Sequence, residues 1–301
     1  MKHPLLSLAL SLLLGGACLP TAQALDLGVS WAVFATPDQP YVEVNLEIAA
    51  QTITFRAVDS THLQAKAEIT ILLKQGERVA NYEKYILSSP LSEGAQTLLD
   101  VKRLVVPAGD YTLEVICVDL NNGENRDTYS APVQVAIGSE RIHMAEVQLL
   151  RGFKPDDSDS PFSKNGYFLE PLPFSFYDRN AVRLVFYTEV YHSVKSVSPE
   201  GYLVRYFIER ERGNGLRETV LMGNQKKKPT PIDAVLAQLD ISRLESGNYT
   251  LTVELRNAAN ELLTKREISF QRSNPFLDFK SNELTEEVVE KQFVQSLDEP
   301  T

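Results

Sequence analysis

The block Gly109-Asp110-Tyr111-Thr112-Leu113-Glu114-Val115 returns later in the chain as Gly247-Asn248-Tyr249-Thr250-Leu251-Thr252-Val253. Each copy follows a similar segment, Leu99-Asp100-Val101-Lys102-Arg103-Leu104 and Leu239-Asp240-Ile241-Ser242-Arg243-Leu244. Read this way, Asp100 answers to Asp240, and the first copy carries two extra residues between its blocks, Pro107 among the four that stand there. Looser matches precede them: Tyr41 to Ile48 with Val182 to Val190, and Gln75-Gly76-Glu77 with Arg212-Gly213-Asn214-Gly215. An offset that stays near about 140 residues is too long for a solenoid unit and predicts a duplicated domain.

Period two runs through both copies. Tyr41 to Ile48 places Val42, Val44, Leu46 and Ile48 on one face and Glu43, Asn45 and Glu47 on the other, the pattern of a strand buried on one side only. Ala67 to Leu87 reads as a hairpin turning at Gln75-Gly76-Glu77, and Asn122-Gly123 separates two further strands. Short strands broken by turn residues predict an all-β chain of two tandem Ig-like or fibronectin-III-like sandwiches. In each Gly-x-Tyr-Thr-Leu block the glycine admits a tight entry into the strand. The tyrosine ring can then bury while its hydroxyl bonds the upstream backbone. Tyr111 and Tyr249 are thus expected to be structural tyrosine corners.

The expected organisation is a signal peptide over 1–24, sandwiches over 27–137 and 141–272, and a linker with an amphipathic helix over 273–301. Lys2, the apolar run Leu5 to Leu14 and Ala22-Gln23-Ala24 make the export signal. That run is too short to span a bilayer, which takes about 20 residues. Gly15-Gly16-Ala17-Cys18 is a rival processing site that would make Cys18 a lipid anchor, but it lacks the usual Leu three residues before the Cys. Gly138-Ser139-Glu140 joins the sandwiches, and so short a linker implies a fairly fixed angle. The second domain carries an insertion, Lys154 to Pro161 leading to Asn165-Gly166-Tyr167. Leu284, Val288, Val289, Gln292, Phe293 and Leu297 fall at helical spacing after a Ser281 or Asn282 cap. That helix either docks on the second domain or begins a further one.

Chemical signatures are scarce. The formal charge of -10 and the single basic run, Lys226-Lys227-Lys228 beside Pro229, argue against nucleic acid and for a solvated loop. His62, His143 and His192 are far apart in sequence, and no H-E-x-x-H or paired Cys occurs. G-x-S-x-G, P-loop and dinucleotide fingerprints are missing as well, so no catalytic or cofactor-binding residue is nominated. Cys117 stands on the face of Leu113 and Val115 and reads as a buried small hydrophobe. Two acidic loops are weak calcium candidates: Asp156, Asp157 and Asp159 in the insertion, and Asp119 to Asp127. Neither has the full ligand spacing of an EF-hand.

Several blocks resemble the N-terminal β region of GWxTD-domain proteins of Bacteroidetes-type bacteria. They are Trp31-Ala32-Val33-Phe34, Pro40-Tyr41-Val42-Glu43-Val44, Gln64 to Ile71 with Lys74-Gln75-Gly76, Pro107 to Val115, and Ser273-Asn274-Pro275-Phe276. The likeness covers most of Leu25 to Phe276. The Gly-Trp-x-Thr-Asp motif itself is absent, Trp31 being the only Trp. In the family that motif lies beyond the β modules, so the resemblance implies a cell-envelope protein in which a further domain would follow Thr301. Export, duplicated sandwiches and absent catalytic motifs together point to a structural, adhesion or protein-interaction module with protein partners in the envelope. The alternatives are an accessory region of a larger effector or enzyme, and a calcium- or carbohydrate-binding module using the aromatic-rich stretch Phe162, Tyr167, Phe168, Phe174, Phe176 and Tyr177.

Overall fold

The computed structural model describes residues 24–36, 39–136, 141–211, 215–275 and 277. The signal peptide with Cys18, the Gly138-Ser139-Glu140 junction and the helix expected from Ser281 lie outside the described residues. No helix among the described residues is long and apolar enough to cross a membrane.

The first half holds β1 (Leu27–Ala35), β2 (Pro40–Ile48), a short pair β3 (Arg56–Ala57) and β4 (Leu63–Gln64), β5 (Lys66–Gln75), β6 (Arg78–Ser88), β7 (Leu98–Val105), β8 (Gly109–Asp119) and β9 (Arg126–Val135). One sheet runs β1-β2-β7 and the other β6-β5-β8-β9, antiparallel throughout. Three strands facing four in this order is the fibronectin-III-like sandwich. The alternation that predicted the strands also fills the core: Val42, Val44, Leu46 and Ile48 of β2 meet Ile69, Ile71 and Leu73 of β5 and Leu113, Val115 and Cys117 of β8. Pro132, which has no amide to donate, sits on the edge strand β9.

The second half repeats the plan with additions: β10 (His143–Met144), β11 (Gln148–Pro155), β12 (Ser163–Lys164), β13 (Tyr167–Pro171), β14 (Phe176–Tyr177), β15 (Arg183–Tyr191), β16 (Tyr202–Glu211), β17 (Arg217–Lys227), β18 (Ile232–Asp240), β19 (Gly247–Arg256) and β20 (Leu262–Arg272). β15 lies between β18 and the interrupted β10/β11, while β17-β16-β19-β20 forms the facing sheet and β14 joins β20 in parallel. The chain is all-β, two tandem fibronectin-III-like sandwiches. The insertion is a sheet extension: β11 continues past β15 to pair β13, which pairs β12. Asn165 and Gly166 make its tight turn at φ 49 and 81, the left-handed geometry that Asn-Gly favours in two-residue hairpins.

Both tyrosine corners form. The Tyr111 hydroxyl donates to the Pro107 carbonyl at 2.9 Å and the Tyr249 hydroxyl to the Glu245 carbonyl at 3.0 Å, each four residues upstream, and both residues are buried.

Three expectations are corrected. Asp100 pairs with Leu46 near the C-terminal end of β2, whereas Asp240 pairs with Arg183 at the start of β15. The Leu-Asp segments are therefore out of register, and it is the second copy whose connection into the tyrosine strand is longer, residues 241–246 against 106–108. Lys226 and Lys227 end β17 rather than lying in a loop, and Lys227 Nζ donates to the Ala234 carbonyl at 2.8 Å. Most consequentially, β2 is buried on both faces: Glu43, Asn45 and Glu47 are buried like Val44 and Leu46 between them.

Candidate functional site at the domain junction

What covers the polar face of β2 is the second sandwich. Ala32 and Phe34 of β1 share an apolar cluster with Ala145, Leu150, Leu169, Val185, Tyr187 and Tyr191 of the second domain. The β1-β2-β7 sheet of one sandwich thus stacks on the β15-centred sheet of the other, in the manner of sheets in a sandwich. Backbone amides join in: Val33 donates to Glu146 Oε2 at 2.7 Å and Ala35 to the Tyr191 hydroxyl at 3.0 Å.

A charge network runs through this interface. Glu43 Oε2 lies 2.8 Å from Lys164 Nζ and accepts from Arg103 Nε at 2.8 Å, while its Oε1 accepts from Gln148 at 2.8 Å. Lys164, delivered by the insertion hairpin, sits 3.3 Å over the Phe34 ring, with Tyr41 and Tyr187 at 5.4 and 5.7 Å, a set of cation–π contacts that a desolvated site strengthens. Glu189 accepts from the hydroxyls of Tyr187 (2.6 Å) and Tyr191 and from Asn165 Nδ2 at 3.1 Å. Two carboxylates thus meet two cations. Burial alone would raise the Glu43 carboxyl, but Lys164 and then Arg103 overcome it and hold it below the usual carboxylate range. Burial draws the Lys164 ammonium below its ordinary value despite Glu43 and Glu189. Burial, with Glu189 beside them, raises the Tyr187 and Tyr191 phenols. Such a network contributes less to net stability than to fixing one arrangement, because any slip leaves a buried ion unpaired.

Beside the network the two domains part into a cleft of about 930 Å³. Arg151 spans its inner end, 2.7 Å from Glu47 Oε1 and 3.3 Å from Glu170, and burial raises the Glu47 carboxyl even against that partner. Phe174 crosses from the second domain onto Gly28 of β1. A Cβ at Gly28 would come within 2.9 Å of the ring, so only glycine admits the aromatic there.

The residues nominated from sequence fall elsewhere. Asp156 accepts from the hydroxyls of Ser158 (2.6 Å) and Ser163, which lower its carboxyl, while Asp157 and Asp159 are exposed. Asp119 is buried and caps its own loop, accepting from the amides of Thr54 and Asn121 at 2.8 Å each. No group of three or more acids, histidines or cysteines among the described residues is placed to hold a metal. The histidines are not all apart: His143 stacks on Tyr191, and burial, with Arg266 and His192 nearby, pushes its imidazole down to about 4. The six aromatics divide. Tyr177 is buried edge-on to Phe270, Phe162 and Phe168 pair with each other, Tyr167 meets Phe153 edge-on, and Phe174 and Phe176 line the cleft. Glu43, Arg103, Lys164 and Glu189 carried no sequence signal beyond acids and bases at alternating positions.

No family model and no curated protein matches the chain. Similar solved structures include a red sea bream transglutaminase, at 12% identity and a TM-score of 0.26 over 84% of this chain. Another is the fibronectin(III)-like modules of CbhA from Clostridium thermocellum, at 14% identity and a TM-score of 0.21, covering 77% of this chain and 85% of that one. The chain spans 31% of the transglutaminase. The strand order in each sandwich, rather than these distant likenesses, carries the fold assignment.

Proposed function

We propose that this chain is a non-catalytic, exported cell-envelope module that holds two protein-binding faces at a fixed relation to one another. The supporting observation is the stacking of the two sandwiches through β2 and β15. With those sheets hidden, the β6-β5-β8-β9 and β17-β16-β19-β20 sheets face outward on opposite sides. Each ends in an edge strand of 11 residues, and each edge exposes large apolar side chains, Tyr82 and Ile86 on β6, Val220 and Met222 on β17. Unpaired strand edges recruit other strands unless blunted, and exposed apolar groups beside them mark contact surfaces. A fibronectin-III-like tandem suits a structural or interaction role, and the envelope assignment draws on the Met1 to Ala24 signal and the GWxTD-like blocks.

The test is crosslinking in the native envelope. Tyr82→Lys with Ile86→Lys, and separately Val220→Lys with Met222→Lys, should each abolish a specific crosslinked partner without shifting the unfolding midpoint. Retention of all partners by both variants, or fractionation of the protein to the cytoplasm, contradicts the reading.

A further inference from the structure

We propose that removal of the export signal completes the first sandwich: the new α-ammonium of Leu25 seats against the Asn125 side chain and ties β1 to the turn between β8 and β9, a role that rests on the export reading. The burial boundary falls at the bond the export motif marks for cutting. Ala24 is exposed, whereas Leu25 is only 4% exposed and its side chain belongs to the core of the first sandwich.

The backbone on the retained side of that bond is held residue by residue. Leu25 N donates to Asn125 Oδ1 at 2.7 Å, Asp26 N to Thr52 Oγ1 at 3.0 Å and Leu27 N to Asp127 Oδ2 at 3.1 Å. The Asp26 carbonyl accepts from the Ala49 amide at 3.2 Å. Asn125 is itself fixed, its Nδ2 donating to the Thr52 carbonyl at 2.8 Å. Chain termini fray unless tied down. Here the residue that the cut makes N-terminal is tied through its side chain, its nitrogen and both following residues.

Hydrolysis breaks the Ala24–Leu25 amide: the hydroxyl of water goes to the Ala24 carbonyl carbon and its proton to the Leu25 nitrogen. Proteolysis acts on exposed chain, so the cut precedes docking of Leu25. A neutral N–H becomes an ammonium, and its bond to Asn125 becomes charge-assisted and stronger. The surroundings favour that charge. Asp26 adjoins it, Asp127 caps Leu27, and Asp119 Oδ2 lies 3.5 Å from Asn125 Nδ2, with Glu124 in the same turn. Against these four carboxylates the packed elements bring Arg56, whose Nη2 donates to the Asn121 carbonyl at 2.6 Å, and Arg126. The precursor has no charge at this nitrogen, so the processed chain holds β1 more firmly.

The experiment compares three chains ending at Thr301: one beginning at Leu25 with a free amine, released from a removable fusion, the same chain acetylated at Leu25 alone, and one beginning at Gln23. Acetylation keeps the N–H donor and removes only the charge. Exposure of Cys117 to iodoacetamide on heating reports opening of the first sandwich. The free-amine chain should open about 4 °C above the other two, the shift a modest ion pair produces in a small domain. Asp127→Asn, which keeps an acceptor for Leu27, should shrink that gap, and N-terminal sequencing of the exported protein should read Leu25. Equal midpoints for the three chains, or an acetylated chain that matches the free amine, would overturn the proposal and leave the export reading untouched. An exported protein beginning at Cys18 would overturn it as well. An intact signal on protein retained in the cytoplasm would remove the export reading itself, and the proposal with it.

Discussion

The Lys164 ammonium of the second sandwich lies 2.8 Å from Glu43 Oε2 of the first, and both side chains are buried. The pair ties the insertion hairpin to the middle of β2. Removing one partner strands the other in a low-dielectric interface, a loss on the order of 3–5 kcal/mol. Arg103 remains to neutralise Glu43, so Lys164→Ala should fall at the lower end, about 3 kcal/mol. Glu43→Gln combined with Lys164→Met should cost less than the sum of the single changes by 1 kcal/mol or more, roughly the coupling of interacting neighbours. Chemical denaturation of the four proteins measures it, and strict additivity would deny the pairing.

The tyrosine corners make a second prediction. Tyr111→Phe and Tyr249→Phe remove only the hydroxyls bonded to Pro107 and Glu245, worth about 0.5–1.5 kcal/mol each. Tyr249→Ala also removes a ring stacked on Phe270 and should cost about 3–5 kcal/mol. Equal losses for Phe and Ala at position 249 would place the whole effect in the hydroxyl and contradict a packed ring.

How much of this was legible can be judged residue by residue. Gly-x-Tyr-Thr-Leu-x-Val announced both corners because the local motif supplies everything it needs: a permissive entry, a ring and a carbonyl four residues back. Alternation in Tyr41 to Ile48 correctly placed Val42, Val44, Leu46 and Ile48 in the core. It misled on Glu43, Asn45 and Glu47, because alternation records which face is polar and not what lies over it. The covering groups, Gln148, Arg151 and Lys164, come from more than 100 residues away and bond Glu43 and Glu47 specifically. The Leu-Asp segments failed for another reason. Similar residues suit a strand buried at Asp100, where Tyr85 donates to the carboxylate at 2.6 Å, and a turn at Asp240, where the Ser242 amide does so at 2.9 Å. Their likeness does not fix register.

His143 gives a pH prediction. Burial first, then Arg266 and His192, hold its folded-state value near about 4 against an ordinary 6.5. Below 6.5 the unfolded chain takes up a proton that the folded protein refuses, so this residue's contribution is complete above 6.5 and erodes as pH falls toward 4. Replacing it with a group that does not titrate, His143→Asn, should flatten the dependence of unfolding free energy on pH between those values. An unchanged slope would show that the imidazole already titrates normally.

Cys117 is fully buried in β8, and burial, with Asp127 and Asp119 adding to it, pushes its thiol up to about 12. Thiolate is the reactive form, so native Cys117 should resist iodoacetamide at pH 8 and be alkylated once denaturant opens the first sandwich. Mass mapping of the peptide containing Cys117 reads both states; rapid native labelling would mean that β8 is exposed.

The fixed relation between the sandwiches is tested most directly by electron–electron distance measurement between spin labels on their outward-facing sheets. Labels at Ser130→Cys on β9 and Ser269→Cys on β20 stand at exposed positions, with Cys18→Ser to leave only buried Cys117. A network that locks β2 against β15 predicts one narrow distance distribution, broadened when Glu43→Ala and Lys164→Ala are added. A broad distribution in the otherwise unaltered protein would contradict it.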